Sequence, residues 1–148
     1  MPEGAVIGGL LCALVIGVAV GTLIGAVFLR AAVALYNKLA GGASSPSSVP
    51  EPAYGKAMSI IFAISLAQIV GGYVIGVTAG TWGQRAEVVA GVIFFAVSLL
   101  VMVEMLSTRL PTTFGRAFLV TLCYLLLTLL FAGGLVGIAV LVFAVAMR

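Results

Sequence analysis

The chain is 148 residues long, and 64% of its residues are hydrophobic while 7% are charged. A soluble domain carries charge on about a quarter of its residues, so this composition excludes an ordinary soluble fold. The mean hydropathy is +1.36, and the long uncharged stretches exceed the roughly 20 residues that cross a bilayer. The sequence therefore predicts a multi-pass membrane protein. Its formal net charge of +3 bears on orientation in the lipid bilayer and not on nucleic-acid binding.

Four apolar segments, separated by charged residues, take up nearly the whole chain. They predict an all-α integral membrane protein, a single membrane domain in which four transmembrane helices form a compact, glycine-rich bundle. The first helix is expected to continue past its span and to stop at Gly41 and Gly42, because glycine commonly ends helices. Within the domain of residues 1–148, the predicted spans are residues 4–29, 57–80, 86–106 and 116–147.

The connections between the spans predict the orientation of the protein. Residues 41–53 are rich in serine and proline and predict a flexible cytoplasmic linker. Trp82 is expected at the opposite membrane interface. Because positively charged loops stay in the cytoplasm, both termini are predicted on the non-cytoplasmic side. The basic residues of the predicted cytoplasmic side are Arg30, Lys38, Lys56, Arg109 and Arg116, against Arg85 and Arg148 on the other side.

Small residues recur at every fourth position of the first span, and Gly9, Gly17, Gly21 and Gly25 belong to this series. Such residues let helix backbones approach closely in lipid, where little hydrophobic force drives helices together. Two interpretations stay open. Either these glycines pack the four helices of one chain, or the first span forms an interface with another subunit. The other glycines assigned to helix packing are Gly72, Gly76 and Gly80 in the second span and Gly133 and Gly137 in the fourth.

A short motif precedes both the second and the fourth span. Residues 54–57 (Tyr-Gly-Lys-Ala) and 114–117 (Phe-Gly-Arg-Ala) share the order aromatic, glycine, base, alanine. One interpretation is the duplication of a helical hairpin, which would make the protein two parallel hairpins. The preferred interpretation is that any helix starting at the cytoplasmic interface favours an aromatic residue and a snorkelling base.

Two polar side chains inside the predicted spans, Glu104 and Gln68, are the main candidates for a function. Glu104 is expected about one turn inside the cytoplasmic boundary, where it either pairs with a base, extends to water or lines a pathway. Gln68 lies near the middle of the second span and is expected to hydrogen-bond a neighbouring helix, with a substrate contact as the alternative. The predicted polar and charge cluster consists of Gln68, Glu104, Arg30, Lys56 and Arg116.

The missing residue types limit the chemistry. The chain has no histidine and no aspartate, and its two cysteines, Cys12 and Cys123, are expected at opposite leaflets, too far apart for a disulfide. We therefore expect no catalytic residues, no metal site, no cofactor and no enzymatic activity. The alternative left open is an enzyme that acts on lipid headgroups through glutamate and arginine.

Two function classes remain. The first is an accessory or scaffolding subunit of a membrane assembly, whose partners are further membrane subunits or copies of itself. The second is a homo-oligomeric channel or small-solute transporter with a pathway near Gln68 and Glu104. A water-filled route normally shows several polar residues along one helix face. Since no span has such a face, the first class is preferred.

Overall fold

Four α-helices follow one another in the computed structural model of this chain, which describes residues 3–42, 45–79 and 84–147. At residues 3–7, 10, 79 and 84–87 within these ranges, the structure describes the helical backbone but not the side chains. All four helices are long and apolar enough to cross a membrane, which confirms the predicted all-α membrane fold. The helices are α1 (Glu3–Leu39), α2 (Tyr54–Ala79), α3 (Gln84–Arg109) and α4 (Phe114–Ala146).

Two of the helices are longer than a bilayer requires. α1 has 37 residues and α4 has 33. At 1.5 Å per residue they are about 55 Å and 50 Å long, against roughly 30 Å of hydrocarbon. As predicted, α1 continues past Arg30, and its last turns carry the buried side chains Val33 and Tyr36.

The helices form a closed ring: α1 contacts α2, α2 contacts α3, α3 contacts α4, and α4 returns to α1. Among the described residues, no Cα atom of α1 lies within 8 Å of one of α3, and none of α2 lies within 8 Å of one of α4. The hairpins α1–α2 and α3–α4 therefore lie side by side. The duplication of one helical hairpin stays a hypothesis.

The hydrophobic core occupies only the end of the bundle that carries the connections 40–53 and 110–113, which we call the packed end. All four helices and Val49 of the first connection contribute to it. The largest fully buried side chains there are Leu29, Val33, Val49, Ile60, Val103, Leu106, Leu110, Val120 and Thr121.

The opposite half of the bundle, which we call the open end, lacks such a core. It comprises residues 8–21, 66–78, 88–101 and 126–147, and no described side chain in these ranges is buried. The helix contacts there leave every described side chain of these ranges at least partly exposed: the Phe94 ring lies beside Gly71, and the Phe131 ring packs edge-to-face on Phe28. The apolar surface of the open end must therefore be covered by lipid or by another polypeptide.

The predicted end of the first helix at the glycine pair is confirmed. Gly41 and Gly42 have φ angles of 99° and 95°. Residues with a Cβ atom rarely adopt this backbone conformation. The Gly42 N–H donates to the Asn37 carbonyl at 2.8 Å, which is the six-to-one bond of a Schellman cap. The chain reverses at this point and returns along α1.

The described part of the first connection is packed against α1, which the prediction of a flexible linker at residues 41–53 did not anticipate. Asn37 clamps Val49: its Nδ2 donates to the Val49 carbonyl, and its Oδ1 accepts from the Val49 N–H, both at 2.8 Å. The Tyr36 hydroxyl donates to the Ser47 carbonyl at 3.2 Å. The Ser47 hydroxyl donates to the Ala40 carbonyl at 3.1 Å. Residues 45–49 thus form part of the packed end.

Candidate functional site

The series of small residues on α1 leaves the bundle as it runs toward the open end. At Gly25 a methyl group would lie 2.7 Å from Ile61 Cγ2 and 3.3 Å from the Tyr124 hydroxyl, so this glycine is essential for the contact with α2 and α4. At Gly9, Gly17 and Gly21 a methyl group would meet no described atom within 4 Å. Only the inner end of the series therefore packs helices of the same chain.

The geometry of the α-helix explains this difference. At 100° per residue, a spacing of four residues turns the series by about 40° at each step. Gly9 therefore projects about 160° away from the direction of Gly25, which faces the interior of the bundle. Gly9, Gly17 and Gly21 thus spread over about 120° of the α1 circumference and form a shallow surface outside the described contacts between helices. We call it the α1 glycine face.

The glycines of α2 and α4 divide in the same way. A methyl group at Gly72 would lie 3.6 Å from the Phe94 ring. Gly71, which the sequence interpretation left out, is closer to the same ring, at 3.0 Å. Gly76, Gly133 and Gly137 have no described atom within 4 Å of such a methyl. Gly80 and Trp82 lie outside the described residues.

Gln68 lies beside a cleft between α2, α3 and α4. The cleft has a volume of about 380 Å³, and its lining includes Ser98, Thr121 and the aromatic rings of Phe94 and Tyr124. The Thr121 hydroxyl donates within its own helix to the Ala117 carbonyl at 2.9 Å. The side chains of Gln68 and Ser98 make no hydrogen bond to any described residue. The expected bond from Gln68 to a neighbouring helix is thus not made within the described chain.

The charged members of the predicted cluster are not joined by ion pairs. Glu104, Arg30 and Lys56 are exposed and Arg116 is half-buried, and in the described part of the chain no base lies within 4.0 Å of a carboxylate. The Glu104 carbonyl, and not its carboxylate, accepts hydrogen bonds, from the hydroxyls of Ser107 and Thr108. This geometry favours the interpretation in which Glu104 extends to water.

A polar group that the sequence interpretation missed is the hydroxyl of Thr22. Its side chain is 5% exposed and its Oγ1 has no described hydrogen-bond partner. It lines a groove between α1 and α2 with Met58 and Phe62. Threonine hydroxyls in helices ordinarily bond to their own backbone, so only the three-dimensional packing identifies Thr22 as unsatisfied.

The remaining chemistry of the described chain is sparse. Cys12 and Cys123 are free thiols. No group of three metal-ligating side chains occurs among the described residues, and the absence of a metal, a cofactor and enzymatic activity stays a prediction. Comparison with models of known families, with curated proteins and with solved structures found no match to the chain.

Proposed function

We propose that this protein is an accessory or scaffolding subunit of a membrane assembly, and that a helix of another membrane polypeptide packs on the α1 glycine face. The observation that supports the proposal is the open space over Gly9, Gly17 and Gly21. In the described part of the chain nothing outside α1's own backbone lies within 4 Å of a methyl group placed on these glycines, so the described contacts between the four helices do not account for them.

The energetics of glycine support the same conclusion. Glycine inside a helix costs about 1 kcal/mol relative to alanine, because it loses more backbone freedom on folding. Contact with fluid lipid gains nothing from the missing side chain. Contact with a second helix does gain from the missing side chain, because the two backbones then approach closely enough for extensive van der Waals contact.

The distribution of the core supports a partner as well. The packed end is complete, whereas the open end has no buried side chain among its described residues. None of the most apolar 18-residue stretch of α4 is buried. A helix bundle whose side chains are buried at just one end exposes long apolar faces at its other end. A subunit of a larger helical assembly has such faces.

The test is native mass spectrometry of the protein extracted gently from its source membrane. We expect other polypeptides to be extracted with it in a fixed ratio. Gly17→Leu should abolish this association by filling the α1 glycine face. Gly8→Leu is the matched control, since it makes the same change in open space on the opposite side of α1, about 180° from Gly17. A wild-type protein that is monomeric, or a Gly17→Leu variant that keeps its partners, would refute the proposal.

A homo-oligomeric channel or small-solute transporter is the second candidate. The cleft beside Gln68 favours it, because Gln68 and Ser98 come from different helices and share one cavity. The mostly apolar lining of the cleft places this candidate second. A single homo-oligomeric species in the mass spectra, together with solute flux in liposomes that Gln68→Leu and Glu104→Gln abolish, would establish this candidate instead.

A further inference from the structure

The cleft between α2, α3 and α4 has the size and the lining of a binding site for a small molecule. Its volume of about 380 Å³ lies in the range of roughly 300–1,000 Å³ that ligand pockets occupy. Its walls combine the rings of Phe94, Phe95 and Tyr124 with the polar groups of Gln68 and Ser98. Mostly apolar walls with a few convergent polar groups are characteristic of such pockets.

The two polar groups are not satisfied by the protein. Gln68 and Ser98 lie in the middle parts of α2 and α3, within the candidate membrane spans. Neither side chain hydrogen-bonds to a described residue. An unpaired polar group in hydrocarbon is costly, so a molecule that offers a hydrogen bond there would be held by both the amide and the hydroxyl.

The lining also specifies the chemistry of that molecule. No charged side chain lines the cleft among the described residues, which favours a neutral ligand over one bound by ion pairing. The amide of Gln68 and the hydroxyl of Ser98 each donate and accept, so a carbonyl or hydroxyl group suits both. The rings of Phe94, Phe95 and Tyr124 provide surfaces for a planar ring.

A second cavity adjoins the cleft. A groove of about 310 Å³ between α2 and α3 shares Gln68, Phe94 and Ser98 with the cleft. Its other walls are apolar side chains and a glycine, among them Val74, Ile75 and Val97. Such a groove accommodates a hydrocarbon tail whose head lies beside Gln68.

We propose that this protein binds a neutral, membrane-soluble molecule with a planar carbonyl- or hydroxyl-bearing ring in the cleft and a hydrocarbon tail in the groove between α2 and α3. A long-chain quinone or phenol has this chemistry. The site is independent of the α1 glycine face, because its walls belong to α2, α3 and α4.

The test compares two probes with equal tails. A decyl-substituted benzoquinone carries the ring carbonyls, and decylbenzene lacks them. Saturable binding of each is measured on the full chain in nanodiscs of synthetic phosphatidylcholine, with empty nanodiscs subtracted. The variants are Gln68→Leu and Ser98→Ala. Ser59→Ala is the matched control, because Ser59 lies on α2 outside both cavities and bonds to the Lys56 carbonyl.

We expect the wild-type protein and Ser59→Ala to bind the quinone in a ratio of one to one and at least about tenfold more tightly than decylbenzene. In Gln68→Leu this preference should fall below about threefold while decylbenzene still binds, which shows that the variant is folded. Ser98→Ala should reduce the preference less. Absence of saturable quinone binding, or a preference that is the same in wild type and Gln68→Leu, would overturn the proposal.

Discussion

The clamp between Asn37 and Val49 should control whether the first connection stays folded. The side chain of Asn37 is 5% exposed and Val49 is 1% exposed, and two hydrogen bonds of 2.8 Å join them. In Asn37→Ala the N–H and the carbonyl of Val49 both lose their hydrogen-bond partner at a buried site. Each unsatisfied group costs about 1–3 kcal/mol, so the connection should lose at least about 2 kcal/mol.

The exchange of the Val49 amide with deuterium reports on this clamp directly. In the wild-type protein the Val49 N–H should be protected, because it donates to Asn37 Oδ1 in a buried site. A loss of about 2 kcal/mol raises the open population roughly 30-fold. We therefore expect the amide to exchange at least about 30 times faster in Asn37→Ala.

Tyr36→Phe is the control for this experiment. It removes only the bond of 3.2 Å from the Tyr36 hydroxyl to the Ser47 carbonyl, which is partly exposed to solvent. One such bond contributes about 0.5–1.5 kcal/mol, so exchange at Val49 should accelerate by no more than about tenfold. If Val49 exchanges freely in the wild-type protein, residues 45–49 are a flexible linker and the clamp does not exist.

Four further substitutions test other parts of the structure. Thr22→Val removes a buried hydroxyl that has no described partner, so it should stabilise the protein by about 1 kcal/mol in thermal unfolding, and a destabilised variant would reveal a hidden partner. Gly25→Leu should lower the unfolding temperature strongly because Ile61 lies 2.7 Å from the new Cβ, whereas Gly21→Leu should not lower it in the isolated protein. Equal effects at the two positions would contradict the described course of the glycine series. A thiol introduced by Pro46→Cys should react with a membrane-impermeant maleimide only from the cytoplasmic side, and labelling from the outside would reverse the predicted orientation.

The spans were predictable because they depend on local composition. An apolar stretch has to find lipid whatever its neighbours are, so the four helices follow from hydropathy alone. The end of α1 was equally local, since Gly41 and Gly42 supply the positive φ angles that the helix cap needs.

Other features depend on how the helices pack, which the sequence pattern does not encode. The spacing of the α1 glycines is regular, but only the packing at Ile61 and Tyr124 determines that Gly25 is inside and Gly9 outside. Residues 45–49 have the composition of a linker, yet a contact across 12 positions of the chain holds Val49. Their serine and proline content describes the isolated segment, not its docking to α1.

The cleft shows the same limit. The sequence singles out Gln68 because a midplane amide is conspicuous in an apolar span, whereas nothing in the sequence distinguishes Ser98 from a hydroxyl that bonds to its own helix. The two share a cavity because α2 and α3 meet at Gly71 and Phe94. That register results from the shapes of side chains far apart in the chain, and no periodicity in either helix discloses it.

The central claim, that the α1 glycine face contacts another polypeptide, is tested most directly by photo-crosslinking in the intact membrane. A diazirine-bearing amino acid is placed at Ala13, which belongs to the same series of small residues, and in a separate variant at Val15, which projects about 160° away from it. Both positions are exposed in the isolated chain. We predict a discrete protein adduct of fixed mass from position 13 and only lipid adducts from position 15. Lipid adducts alone from both positions would show that this face is covered by the bilayer and would contradict the claim.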